Sequence, residues 1–103
     1  TSPEDLFVCF SSIEEIRDRI DEIDCELVKL ITQRARCVKA AAGFKTDSAA
    51  VRAPDRVEQV ISKARDRAAE TGLPKVIIET VYRSMIDAFI DYELKQFQQL
   101  QPA

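Results

Sequence analysis

From Ile13 onward, apolar residues recur in alternating steps of three and four: Ile13, Ile16, Ile20, Ile23, Leu27 and Leu30, then Cys37, Ala41 and Phe44. That spacing is the seam of a long helix with heptad character. No proline interrupts it, and Gly43 stands near its end. Ser11 and Ser12 each open a Ser-x-x-Glu string, with Glu14 or Glu15 placed to reach back to the first amides, so a capping box predicts the start of the helix there. About 32 residues at 1.5 Å each give a rod of roughly 48 Å. A compact domain of 103 residues is only roughly 33 Å across. The rod overhangs its own domain, which predicts a homodimer in which the long helices pack together.

The rest of the chain predicts two more helices. Asp47, Ser48 and Pro54 punctuate a loop over residues 46–53, expected to be mobile and to order on ligand binding. Pro54 suits a first helical turn, and Asp55 faces the positive end of the dipole. Val57, Val60, Ile61, Ala64 and Ala68 then form a buried stripe that ends at Thr71-Gly72, Gly72 serving as a left-handed cap. Pro74 opens a last helix whose stripe runs Ile78, Tyr82, Met85, Ile86 and Phe89, then Glu93 and Phe97. The fold class is all-α: three helices in a single domain over residues 1–103, preceded by an N-terminal segment (1–11) and ending in a polar, frayed tail (98–103).

Composition narrows the chemistry. Two glycines and 4 prolines in the whole chain are too few turns for a sheet protein, and hydrophobic residues at 46% exclude disorder. With no histidine, a His-triad hydrolase and a His-containing zinc site are both excluded. Cys9, Cys25 and Cys37 are odd in number and widely spaced, so they read as reduced thiols of a cytoplasmic protein rather than a disulfide framework or metal knuckle. The early apolar run Leu6–Phe10 is too short and too acidic at its front for a signal peptide, and nothing approaches a membrane span. No cofactor and no metal are expected.

The net charge of −3 hides a segregation. Residues 1–28 carry a balance of −7, residues 29–56 a balance of +5 and residues 57–103 a balance of −1. Lys29, Arg34, Arg36, Lys39, Lys45, Arg52 and Arg56 make up the basic segment, a local anion site in an acidic protein. Nucleic acid fits poorly, because the overall balance is acidic and Phe44 is the segment's one aromatic.

Two residues break the helical pattern. Arg34 falls on the seam, seven residues after Leu27 and seven before Ala41. A guanidinium there needs an anion, either an interhelical carboxylate or the carboxylate of a ligand, unless it snorkels out. Glu93 lies four residues from both Phe89 and Phe97, on an apolar stripe. It escapes desolvation by pairing with Arg34 or Lys45, or works protonated and donates a hydrogen bond to a ligand. Both point to a polar pocket among the helices that holds a small molecule.

Ile16-Arg17-Asp18-Arg19-Ile20-Asp21-Glu22-Ile23-Asp24, then Gln33-Arg34, Lys45 and Asp55-Arg56, resembles the all-helical class of chorismate mutases over about residues 12–97. Ser2-Pro3-Glu4-Asp5 and Phe44-Lys45 are more similar to its isochorismate pyruvate-lyase branch. The resemblance implies an intertwined dimer with two active sites, each completed by the partner's first helix, and a dicarboxylate substrate. It assigns Arg17 to one substrate carboxylate across the dimer and Arg34 to the other within the protomer. Lys45 would hydrogen-bond the ether oxygen of the breaking C–O bond, and Arg56 would support the carboxylates or, as a first-turn cation, simply face solvent. Rearrangement of chorismate to prephenate needs no nucleophile, metal or obligatory proton transfer, which suits a chain without histidine; orientation and fixed charge do the work.

Two positions depart from the resemblance. Glu93 stands where many such enzymes carry Gln, and it implies a site that works with this carboxyl protonated. Val57 follows Arg56 where mutases of this class often carry Glu for the ring hydroxyl; it is a core valine or the mark of a different substrate. The leading expectation is a chorismate mutase. The alternatives are an isochorismate pyruvate lyase giving salicylate and pyruvate, and a catalytically silent helical dimerisation module.

Overall fold

A computed structural model describes residues 10–100, among which the regular elements are all helical. They are α1 (Ile13–Ala42), α2 (Ser48–Arg52), α3 (Pro54–Thr71) and α4 (Lys75–Leu100). Cys9 and the motif at residues 2–5 lie outside the described residues, as do residues 101–103 of the expected tail. The first residues of that tail, Gln98 and Gln99, continue α4 as helix. Among the described residues, no helix is long and apolar enough to cross a membrane, and Cys25 and Cys37 are free and exposed.

The chain divides into two compact units, Thr1–Arg34 and Ala35–Ala103. In the first, the start of α1 is fixed by the predicted serines in a shifted form. The Glu15 backbone N–H donates to Ser12 Oγ at 3.2 Å, while the Glu15 carboxylate accepts from the Ser11 N–H at 2.9 Å and the Ser11 hydroxyl at 2.8 Å. These two donors, the backbone N–H foremost, hold the Glu15 carboxyl below its ordinary value. Much of the apolar seam of this unit is exposed. Ile20, Ile23 and Leu27 are each about half exposed, at 48–49%, and Leu30 is at 60%.

The second unit holds the core. α3 and α2 both pack against α4, and Val51, Ile61, Ala64, Ala68 and Ile86 are buried, with Ile61 wholly so. Small residues on α3 let its axis come close to α4, and the stripe read from the sequence is the buried one. Two ion pairs lace α3 to α4 outside that stripe: Arg65 to Glu79, and Arg83 to Glu58 at 3.2 Å.

α1 is 30 residues long, about 45 Å, and ends two residues before Phe44. Beyond Ala42 the chain tightens into i to i+3 turns, with the Phe44 N–H on Ala41 O at 3.0 Å and the Gly43 N–H on Ala40 O at 3.2 Å. The stretch expected as a loop contains α2. Asp47 caps it, its carboxylate accepting the Ala50 N–H at 2.7 Å, and Val51 buries its apolar side. Ala53 joins α2 to α3 with φ 37° and ψ 63°, a left-handed conformation that costs an L-residue energy.

Gly72 caps α3 as expected, at φ 80°, with its N–H on Ala68 O and the Leu73 N–H on the same oxygen at 3.0 Å. A Cβ built at Gly72 meets nothing within 4 Å, so a substitution there is charged for backbone conformation alone. Gly72→Ala is expected to lower the free energy of unfolding by about 1 kcal/mol, left-handed strain less the reduced entropy of the unfolded chain; urea denaturation measures it. Because the folded Glu15 carboxyl titrates below its unfolded value, its hold on the start of α1 is complete above the unfolded value and is lost as pH falls through the folded one. Hydrogen exchange at the Ser11 amide should therefore lose protection on acidification in wild type, and much less so in Glu15→Gln.

Candidate functional site

The site begins with a polar residue on an apolar stripe. Glu93 sits on α4, one turn from Phe89 and one from Phe97, both half-buried, and is itself 6% exposed. The Phe89 ring meets Tyr92 edge-on, with centroids 6.4 Å apart. A carboxylate so placed needs a counter-charge. Lys45 supplies it from the turn after α1, with Nζ 2.6 Å from Glu93 Oε2.

The pair is asymmetric. The Lys45 side chain is 25% exposed and that of Glu93 8%, so the ammonium keeps a path to water that the carboxylate lacks. Oε2 is a buried oxygen, and Lys45 is the cation that faces it. The result is an ammonium held beside a buried carboxylate. Chemically this arrangement can stabilise negative charge that develops on a ligand atom.

Of the five residues singled out in the sequence, the structure brings Lys45 and Glu93 together. Pairing with Lys45 was one of the two partners open to Glu93. Arg56 is exposed in the first turn of α3 and donates along its own helix to Gln59 Oε1 at 2.6 Å. Arg34 is half-buried on α1 and already engaged by the protein. Arg17 is exposed on the same helix. Among the described residues, no group of His, Cys, Asp and Glu is placed to hold a metal ion. Sequence reasoning missed Asp47, which reads there as loop punctuation. Its signal was present as an Asp three residues before the amide it caps, but a helix of one turn leaves no periodicity to confirm it.

Removing either partner of the Lys45–Glu93 pair should not cost the same. Lys45→Met strands a buried carboxylate and is expected to destabilise by about 3 kcal/mol. Glu93→Gln leaves an ammonium that reaches water and should cost about 1 kcal/mol. The double variant Lys45→Met/Glu93→Leu should recover most of the Lys45→Met loss. Denaturant titration of the three variants checks the order.

Residues 16–94 match the chorismate mutase type II family, a span that contains all five residues. The chain is 32% identical over 102 residues to an isochorismate pyruvate lyase of Pseudomonas aeruginosa, covering 99% of this chain and 97% of that protein. With most of its length matched, and a helical architecture of the same class, the chain belongs to the chorismate mutase type II family.

Proposed function

We propose that the protein is an isochorismate pyruvate lyase that cleaves the enolpyruvyl ether of isochorismate to salicylate and pyruvate. The observation that carries this reading is the likeness to the Pseudomonas aeruginosa lyase along nearly the whole of both chains. Val57, directly after Arg56, supports it, because an apolar residue there leaves no carboxylate for the ring hydroxyl of chorismate. A chorismate mutase is the second reading, supported by the family match itself.

Both reactions make the same demand. The ether C–O bond breaks while the leaving oxygen gains negative charge, and no external nucleophile enters. In the lyase reaction a ring hydrogen passes to the methylene carbon of the enolpyruvyl group, so pyruvate leaves and the ring becomes aromatic. In the mutase reaction that carbon bonds to the ring instead. Lys45 donates to the ether oxygen. Arg34 holds one carboxylate, Arg17 of a partner subunit the other, and Arg56 supports them after leaving Gln59. The half-exposed seam of α1 supports a homodimer, since packing a second copy's seam there removes that apolar surface from water. Residues 1–103 act as a single helical domain of that dimer, in the cytoplasm, consistent with two free cysteines.

Glu93 sets the charge beside Lys45. Its carboxylate binds the ammonium and opposes charge growing on the ether oxygen, whereas a neutral amide adds a donor. Glu93→Gln is therefore expected to keep or raise turnover; a folded Glu93→Gln protein that loses turnover contradicts the role. Lys45→Met should lower kcat by about 10²–10³-fold. Product analysis decides the substrate. Salicylate and pyruvate from isochorismate, with little prephenate from chorismate, is the expected result. The reverse preference establishes the mutase. Neither product from a folded protein leaves a silent dimerisation module and overturns both readings.

A further inference from the structure

Lys45 is held from both sides of the chain. On its N-terminal side the turns that end α1 carry it, with the Lys45 N–H on Ala42 O at 3.4 Å and the Phe44 N–H on Ala41 O at 3.0 Å. On the other side stands Asp47, with extended backbone at φ −151° and ψ 169° and Oδ1 accepting the Ala50 N–H at 2.7 Å. Only Thr46 separates these two anchored points.

α2 is the element to which Asp47 ties this stretch. It has 5 residues, far fewer than a helix needs to hold itself in water. Its stability must come from its ends and its packing. Val51 is 2% exposed, and α2 lies against α4, the helix that carries Glu93. At the C-terminal end the Ala53 N–H closes on Ala49 O at 3.1 Å in a left-handed turn that itself costs energy. The cap at Asp47 is thus the interaction that ties the segment before α2 to this packed turn.

We infer that Asp47 is a positioning residue for the reaction: by capping α2 it holds the Lys45 ammonium at Glu93, where the ether oxygen is to be met. The inference rests on Lys45 being the cation of the reaction. It concerns hydrogen bonding and not charge, because the bond goes to a backbone amide that Asn or Ser accepts from equally well, whereas Ala cannot. An N-cap is worth about a factor of five in a local equilibrium.

The test uses full-length Asp47→Ala, Asp47→Asn and Asp47→Ser with two readouts. One is turnover. The other, free of substrate, is the acylation rate of the Lys45 amine relative to exposed Lys39, followed by peptide mass spectrometry. Asp47→Ala is expected to raise Lys45 labelling about fivefold and to lower kcat by a smaller factor, because the held state stays the major one. Asp47→Asn and Asp47→Ser should stay within about twofold of wild type in both. Unchanged Lys45 labelling in Asp47→Ala overturns the inference, as does an Asn variant as impaired as the Ala variant. If wild type turns over neither substrate while labelling still follows the cap, the positioning role stands and the catalytic reading of Lys45 falls.

Discussion

A carboxylate on the apolar face of a helix must meet a positive charge, and in this protein that requirement organises everything around Glu93. At 6% exposure, the group has no water to fall back on. Its partner has to come from outside α4, and Lys45 arrives from the turn that ends α1. For that turn to deliver an ammonium, the chain on either side must be fixed. The tightened end of α1, the Asp47 cap and the buried Val51 fix it. The ion pair is not chiefly a source of stability, since burying charge costs much of what the attraction returns. In the proposed reaction it would provide a cation whose position is set before a ligand arrives, the preorganisation that stabilises a charge appearing only in a transition state.

The rest of the chemistry follows from having no histidine. Without a side chain poised to exchange protons near neutrality, a reaction whose bonds reorganise within the substrate is well matched to the chain. Its basic segment, running from Lys29 to Arg56 in an otherwise acidic sequence, offers the fixed charges that a dicarboxylate needs. Glu93 is the unusual member. A glutamine would share the lysine's proposed task, whereas a glutamate first ties the lysine into an ion pair. The same side chain therefore links the fold to the proposed chemistry.

Much of the fold is legible in the sequence. The long seam, the proline at the start of α3, the glycine that ends it and the buried stripes all rest on local periodicity or on a single residue's backbone preference, and these signals survive in any context. Arg34 and Glu93 stood out because each violates a pattern strong enough to make violation visible. What escaped was of another kind. α2 is one turn long, so it has no period, and Asp47 reads equally well as a turn or a cap. Ala53 occupies a left-handed conformation that its type does not favour, imposed by the need to join two helices ahead of Pro54. The Arg65–Glu79 and Arg83–Glu58 pairs depend on how α3 registers against α4, which no spacing within either helix specifies. Arg56 was placed correctly in a first turn, but its bond to Gln59 reflects a choice among rotamers that sequence does not encode.

In the proposed reaction Lys45 exchanges Glu93 for the ether oxygen of the substrate. A crystal structure with a dicarboxylate that mimics the pericyclic transition state, its bridging ether oxygen intact, would show the exchange. The Lys45 Nζ is expected within about 3 Å of that oxygen, no longer closed on the Glu93 carboxyl. A mimic bound with Lys45 still closed on Glu93, and no protein donor at the ether oxygen, would contradict it.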